Sequence, residues 1–172
     1  MRKLLTAALH RAMSKLQRHL KLVGGNNADE ATFRSFLLAE IMRLAPEAKG
    51  QIEWHRFDLL VRCGTSNMLI EIKFYMPDRT FALDGTPGNW KGGAGPKNES
   101  EFSACVDKLR STNLASISHK FLILVYESRT VRQSKYSFSK SYEDLTRFGL
   151  SDVQTIDHKF TVRAACKLIQ IR

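Results

Sequence analysis

At 172 residues, 43% hydrophobic and 26% charged, the chain is long enough for one globular domain with its own core and too apolar to be a disordered tail. Its 27 basic and 17 acidic residues give a net charge of +10, which favours a polyanionic partner. No apolar run approaches the ~20 residues of a membrane-spanning helix. Cys63, Cys105 and Cys166 are odd in number and lack zinc-ligand spacing, so they read as reduced thiols of a cytoplasmic protein.

Residues 1–23 form the first predicted element, a basic amphipathic helix. Leu5, Leu9, Ala12, Met13, Leu16, Leu20 and Val23 recur at helical spacing, while Arg2, Lys3, Arg11, Lys15, Arg18 and Lys21 occur with no acid before residue 29. This helix either packs its leucines on the domain or serves as a nucleic-acid arm or membrane-surface helix. It partly shares the acid-free pattern of a transit peptide, but with Met1 at the start we expect it to be retained. Gly24, Gly25 and Asn26 break it, and Asn27 or Asp29 is placed to cap a second helix. There Phe33, Phe36, Leu37, Ile41 and Leu44 share a face until Pro46. Glu30 and Glu40 fall on or beside that face, where an ordinary surface acid would lie opposite. In the first turn Glu30 would also suit the helix dipole, and Glu40 would pair with Arg43.

Residues 51–56 read as a strand, with Trp54 in the core and His55 structural. Residues 57–75 then read as a β-hairpin about a four-residue turn, Gly64-Thr65-Ser66-Asn67. The two-residue period sets Ile70, Ile72 and Phe74 on one face of its second strand and Glu71 and Lys73 on the other. Asp58 opens the first strand, and antiparallel pairing would carry its carboxylate towards Glu71. Two acids so placed repel and are best accommodated by a divalent cation, with magnesium or manganese suited to the hard oxygen ligands. Lys73 would then steady an attacking water or developing charge. The ordinary alternative is a surface ion pair.

Residues 76–97 hold Pro77, Pro87, Pro96 and several glycines and read as a long loop, with Arg79, Trp90, Lys91 and Lys97 supplying cations and a stacking ring for a nucleic-acid strand. Asn98, with Glu101 three residues on, resembles a capping box opening a third helix whose stripe is Phe102, Cys105, Val106 and Leu109. Residues 121–126 are continuously apolar, as a strand buried on both faces would be. Residues 129–140 carry Arg129, Arg132, Lys135 and Lys140 with two aromatics and no acid, a composition suited to phosphate contacts. A short helix over 141–148, closed by Gly149, and a last strand over 162–171 at a sheet edge complete the chain.

Asp58 at the start of one strand and Glu71-x-Lys73 in the next, after a helix bearing Glu30, resemble the signature of the PD-(D/E)xK nuclease superfamily, with Phe57 standing at its Pro position. The resemblance covers about residues 29–126 and rests on element order rather than identity. It implies an α/β fold with a mixed central sheet flanked by helices, a restriction endonuclease-like core, as a single nuclease-like domain over 27–172. It further implies metal-dependent hydrolysis of nucleic acid, DNA being favoured, with magnesium or manganese held by Asp58, Glu71, the Ile72 carbonyl and Glu30, and with Lys73 assisting the nucleophile. The alternative is a non-catalytic nucleic-acid-binding module on the same fold. The oligomeric state is left open between monomer and homodimer.

Overall fold

The computed structural model describes residues 1–23, 28–76, 78–81, 84–91, 96–127, 145–156 and 164–172. In chain order these form α1 (Arg2–Val23), α2 (Glu30–Leu44), β1 (Lys49–Trp54), β2 (Phe57–Cys63), β3 (Ser66–Tyr75), β4 (Asp78–Phe81), β5 (Pro87–Lys91), α3 (Pro96–Ser111), β6 (His119–Glu127), β7 (Val153–Ile156) and β8 (Ala164–Ile171). Six of the strands make one mixed sheet in the order β1-β2-β3-β6-β8-β7. Among the described strands only β3 and β6 pair in parallel, as expected when a helix, here α3, carries the chain between them.

The sheet is apolar on both faces because its central strands must be covered on both. Towards α1 and α2, Ile70, Ile72, Ile123 and Val125 meet Leu9, Met13, Phe33 and Leu37. Towards α3, Leu69, Leu122, Leu124 and Ile169 meet Phe102, Val106 and Leu109. Each such side chain contributes about 1.5–3 kcal/mol by leaving water. The seven apolar positions expected on α1 include six buried ones, Leu5, Leu9, Ala12, Met13, Leu16 and Leu20. That face is therefore committed to the core and is not free to lie on a membrane. Asp29 caps α2 by accepting from the Thr32 N–H at 2.8 Å.

Several elements differ from the sequence expectation. The hairpin turn is two residues rather than four, since Cys63 pairs with Ser66 and Gly64 takes the left-handed φ of 56° that so tight a reversal needs. The stretch 76–97, expected as a loop, contains the antiparallel ladder β4–β5. α3 starts at Pro96, where a missing N–H costs nothing, so Asn98 lies inside the first turn rather than at the cap. Its carbonyl instead accepts from the Tyr75 hydroxyl at 2.9 Å. Of the helix expected over 141–148, residues 141–144 lie outside the described residues, and Thr146–Phe148 form a 3-10 turn before Gly149. β8 is interior, because the short β7 pairs along its outer side and takes the edge.

Candidate functional site

The β2–β3 ladder runs from Cys63↔Ser66 to Leu59↔Ile70. One step further would set Asp58 opposite Glu71, but the Ile72 N–H instead donates to Asp58 Oδ2 at 2.6 Å. A side-chain carboxylate thus replaces a main-chain acceptor, and the two strands part at this point. The opening admits groups from α2 on one side and α3 on the other.

From α2, Arg34 donates to Asp58 Oδ1 at 3.3 Å and to Glu53 Oε1 at 3.2 Å. Glu30, one turn earlier, is pushed up from 4.5 to about 7, first by burial and then by the charge of Asp58, to which its protonated form donates; Lys73 opposes the rise and Glu71 adds to it. From α3, Lys108 Nζ donates to Glu71 Oε1 at 2.8 Å, and the Cys105 thiol stands 3.4 Å from the same oxygen. Lys73 Nζ lies 3.7 Å from it. Burial works against the Lys73 charge, yet Cys105, Glu71 and Glu30 outweigh it and raise the amine above its usual value. Burial pushes the Cys105 thiol up to about 11, so it stays protonated near neutrality. Glu71 is 4% exposed. Its second oxygen, Oε2, is buried with no hydrogen-bond partner among the described residues.

The structure therefore brings Glu30, Asp58, Glu71, Lys73 and the Ile72 backbone to one place, together with three residues that the motif does not include. Arg34 follows Glu30 by one helical turn, a spacing that sets the two on one face and was readable. Cys105 and Lys108 share a face of α3 at i, i+3, but only the tertiary fold reveals that this face meets Glu71. Glu40 lies elsewhere: it is buried and held by Lys15 at 2.8 Å, Arg43 at 2.9 Å and Arg11 at 3.9 Å.

The expected nucleic-acid contacts fare differently. Lys97 is exposed in the first turn of α3 with Glu101 at 3.9 Å. The backbones of Arg79, Trp90 and Lys91 belong to β4 and β5, while their side chains lie outside the described residues. Arg129, Arg132 and Lys135 lie outside the described residues altogether.

Among the described residues no three His, Cys, Asp or Glu side chains are gathered closely enough to hold a metal ion as they stand. Arg34 holds Asp58 and Lys108 holds Glu71, each supplying positive charge that a bound ion would otherwise provide. The chemistry of the donors nevertheless suits a hard divalent cation, since Asp58 and Glu71 both raise Glu30 and one buried oxygen of Glu71 is left without a donor among the described residues. No protein-family model, curated protein or solved structure matches the chain.

Proposed function

We propose that the protein is a metal-dependent phosphodiesterase of nucleic acid, DNA being favoured, built on a restriction endonuclease-like core of the PD-(D/E)xK type. The observation that carries this reading is the meeting of Glu30, Asp58, Glu71 and Lys73 where β2 parts from β3, in a chain of net charge +10. The order α2-β1-β2-β3-α3-β6 supports it as well.

Asp58, Glu71 and the Ile72 carbonyl would hold magnesium or manganese, with Glu30 adding a ligand directly or through water. When bound, such an ion polarises a phosphoryl oxygen and makes a bound water more acidic. Lys73, kept charged by its acidic neighbours, orients the attacking water and meets the negative charge that develops on the phosphate. In the cation-free protein Arg34 and Lys108 balance the carboxylates. Plasmid nicking in magnesium or manganese tests the assignment: Asp58→Ala and Lys73→Ala should each remove it, and nicking that persists undiminished in either variant sinks the reading.

One observation favours the rival, a nucleic-acid-binding module without chemistry, namely that Arg34 and Lys108 already engage Asp58 and Glu71. Calorimetric titration separates the two. A nuclease site binds manganese in an Asp58- and Glu71-dependent manner, whereas a pure binding module does not.

A further inference from the structure

β1 forms one end of the six-stranded sheet, with β2 on one side and no described strand on the other. Every residue from Lys49 to Glu53 is exposed, and among the described residues none of them makes a backbone hydrogen bond outside the β1–β2 ladder. An open edge of this kind offers unpaired N–H and C=O groups to another strand, and proteins usually blunt it with charge, proline or a bulge. β1 has no proline, and its two charges, Lys49 and Glu53, are of opposite sign.

The edge is apolar as well. Ile52 is 46% exposed, one of three large hydrophobic side chains so placed among the described residues. It shares a face with Gly50, since the residues opposite them on β2, Leu59 and Val61, belong to the core beneath α1 and α2. Gly50 has no room for a side chain, because a Cβ there would run into Leu38 and Met42 of α2. Leu38 and Met42 are only partly buried, so they continue the apolar surface of Ile52 across Gly50.

Ala48 is buried before the strand, and Glu53 takes a left-handed φ of 54° at its end, so the usable edge runs from Lys49 to Glu53. An antiparallel, two-fold pairing of β1 with β1 that uses all of it is centred on Gln51. It sets Lys49 opposite Glu53 of the second copy, and Glu53 opposite its Lys49. It also sets Ile52 beside Gly50 of the second copy, against the Leu38 and Met42 found there. Centring on Gly50 or Ile52 instead loses both charge pairs, and a parallel arrangement aligns like with like.

We infer that β1 is a homodimer edge, at which two copies join their sheets through antiparallel strands centred on Gln51. A second copy is the occupant because the charges and the apolar side chain that this edge requires of its partner are those that β1 itself carries, at the matching positions. Glu53 also lines the polar cleft beside Asp58 and accepts from Arg34 at 3.2 Å, so Lys49 of each copy reaches the mouth of the other's site. One strand edge and three apolar side chains make a small interface, so the dimer is a weak one that forms with rising concentration. The inference goes beyond the proposed function and holds whether or not the site hydrolyses nucleic acid.

Sedimentation velocity of the full chain without nucleic acid tests it, at moderate salt to screen the +10 charge of each copy. The parent chain should pass from monomer to dimer through the micromolar range. Lys49→Glu and Glu53→Lys each set like charges opposite one another twice per dimer, so each should raise the dissociation constant about tenfold or more. Ile52→Lys should weaken the dimer independently of those pairs. All three positions are exposed, and a urea midpoint near the parent's checks each fold. Mixed in equal amounts, Lys49→Glu and Glu53→Lys again place opposite charges at every pair and should form a heterodimer of near-parental affinity. That rescue reads the register, because a role confined to one chain's own fold is not restored by a second molecule. A parent chain that stays monomeric throughout the range, a dimer that the variants leave intact, or a mixture that stays monomeric overturns the inference.

Discussion

Lys108 Nζ stands 2.8 Å from Glu71 Oε1, closer than Lys73 Nζ at 3.7 Å, although Lys73 shares a strand face with Glu71. The two amines are expected to have separable roles. Lys108 competes with a cation for Glu71, so Lys108→Met should tighten manganese binding by calorimetry while lowering the stability of the metal-free protein by about 1–3 kcal/mol, because Glu71 and the Arg56 carbonyl lose their donor. On the proposed nuclease function, Lys73→Met should instead abolish nicking and leave nucleic-acid affinity near its original value. Weaker manganese binding in Lys108→Met would show that Lys108 supports the ion rather than opposing it.

Asp58 has a structural duty beside any chemical one. Its Oδ2 satisfies the Ile72 N–H and its Oδ1 meets Arg34, whose side chain is only 15% exposed. Asp58→Asn keeps an oxygen for the N–H, whereas Asp58→Ala leaves the N–H and much of the Arg34 charge without an acceptor. Urea denaturation should place the alanine variant about 1–3 kcal/mol below the asparagine variant. On the proposed nuclease function, neither variant should nick plasmid. Equal stability of the two would mean that water or Glu53 takes over both duties.

Local periodicity made the hairpin acids and the buried face of α1 readable. A two-residue period separates Glu71 and Lys73 from Ile70 and Ile72, and a helical period marks Leu5 to Leu20, whatever the rest of the chain does. Lys108 escaped because its role depends on α3 crossing the sheet over Glu71, 37 positions away in sequence. β7 escaped because four residues, Val153–Ile156, carry too little pattern to stand apart from a loop. The β4–β5 ladder was hidden by prolines and glycines that ordinarily mark loops, although Pro87 opens its strand where no N–H is required.

The charge of α1 is partly committed to the fold, which alters how its role in binding can be tested. Lys15 and Arg11 face Glu40, a carboxylate 3% exposed between α1 and α2. Lys15→Ala should therefore cost about 1–3 kcal/mol, with Arg43 limiting the loss, and Glu40→Gln combined with it should recover part. Arg18 and Lys21 are exposed, and their neutralisation should leave stability within about 0.5 kcal/mol. If α1 binds phosphates, the same pair of changes should lower the salt dependence of affinity by about one log-log unit for each phosphate no longer neutralised. An unchanged slope would remove α1 from the binding surface.

Glu30 gives the metal-free protein a pH dependence of defined sign. Its carboxyl sits at about 7 in the folded chain against 4.5 for the free group, raised first by burial and then by Asp58. Below about pH 4.5 the group is protonated in both states and costs nothing. Between 4.5 and about 7 the unfolded chain releases its proton while the folded one keeps it, so stability falls as pH rises, and above that window the full cost remains. After solvent screening the loss should be on the order of 2 kcal/mol. Glu30→Gln cannot ionise, so its stability relative to the parent should improve from pH 4 to pH 8 by about that amount, as read from urea midpoints in chelator. Parallel curves for the two proteins would mean that the Glu30 proton is not retained on folding. Added manganese should reverse the comparison at pH 8, because a bound cation removes the repulsion from Asp58 and favours the ionised Glu30 that the glutamine cannot supply.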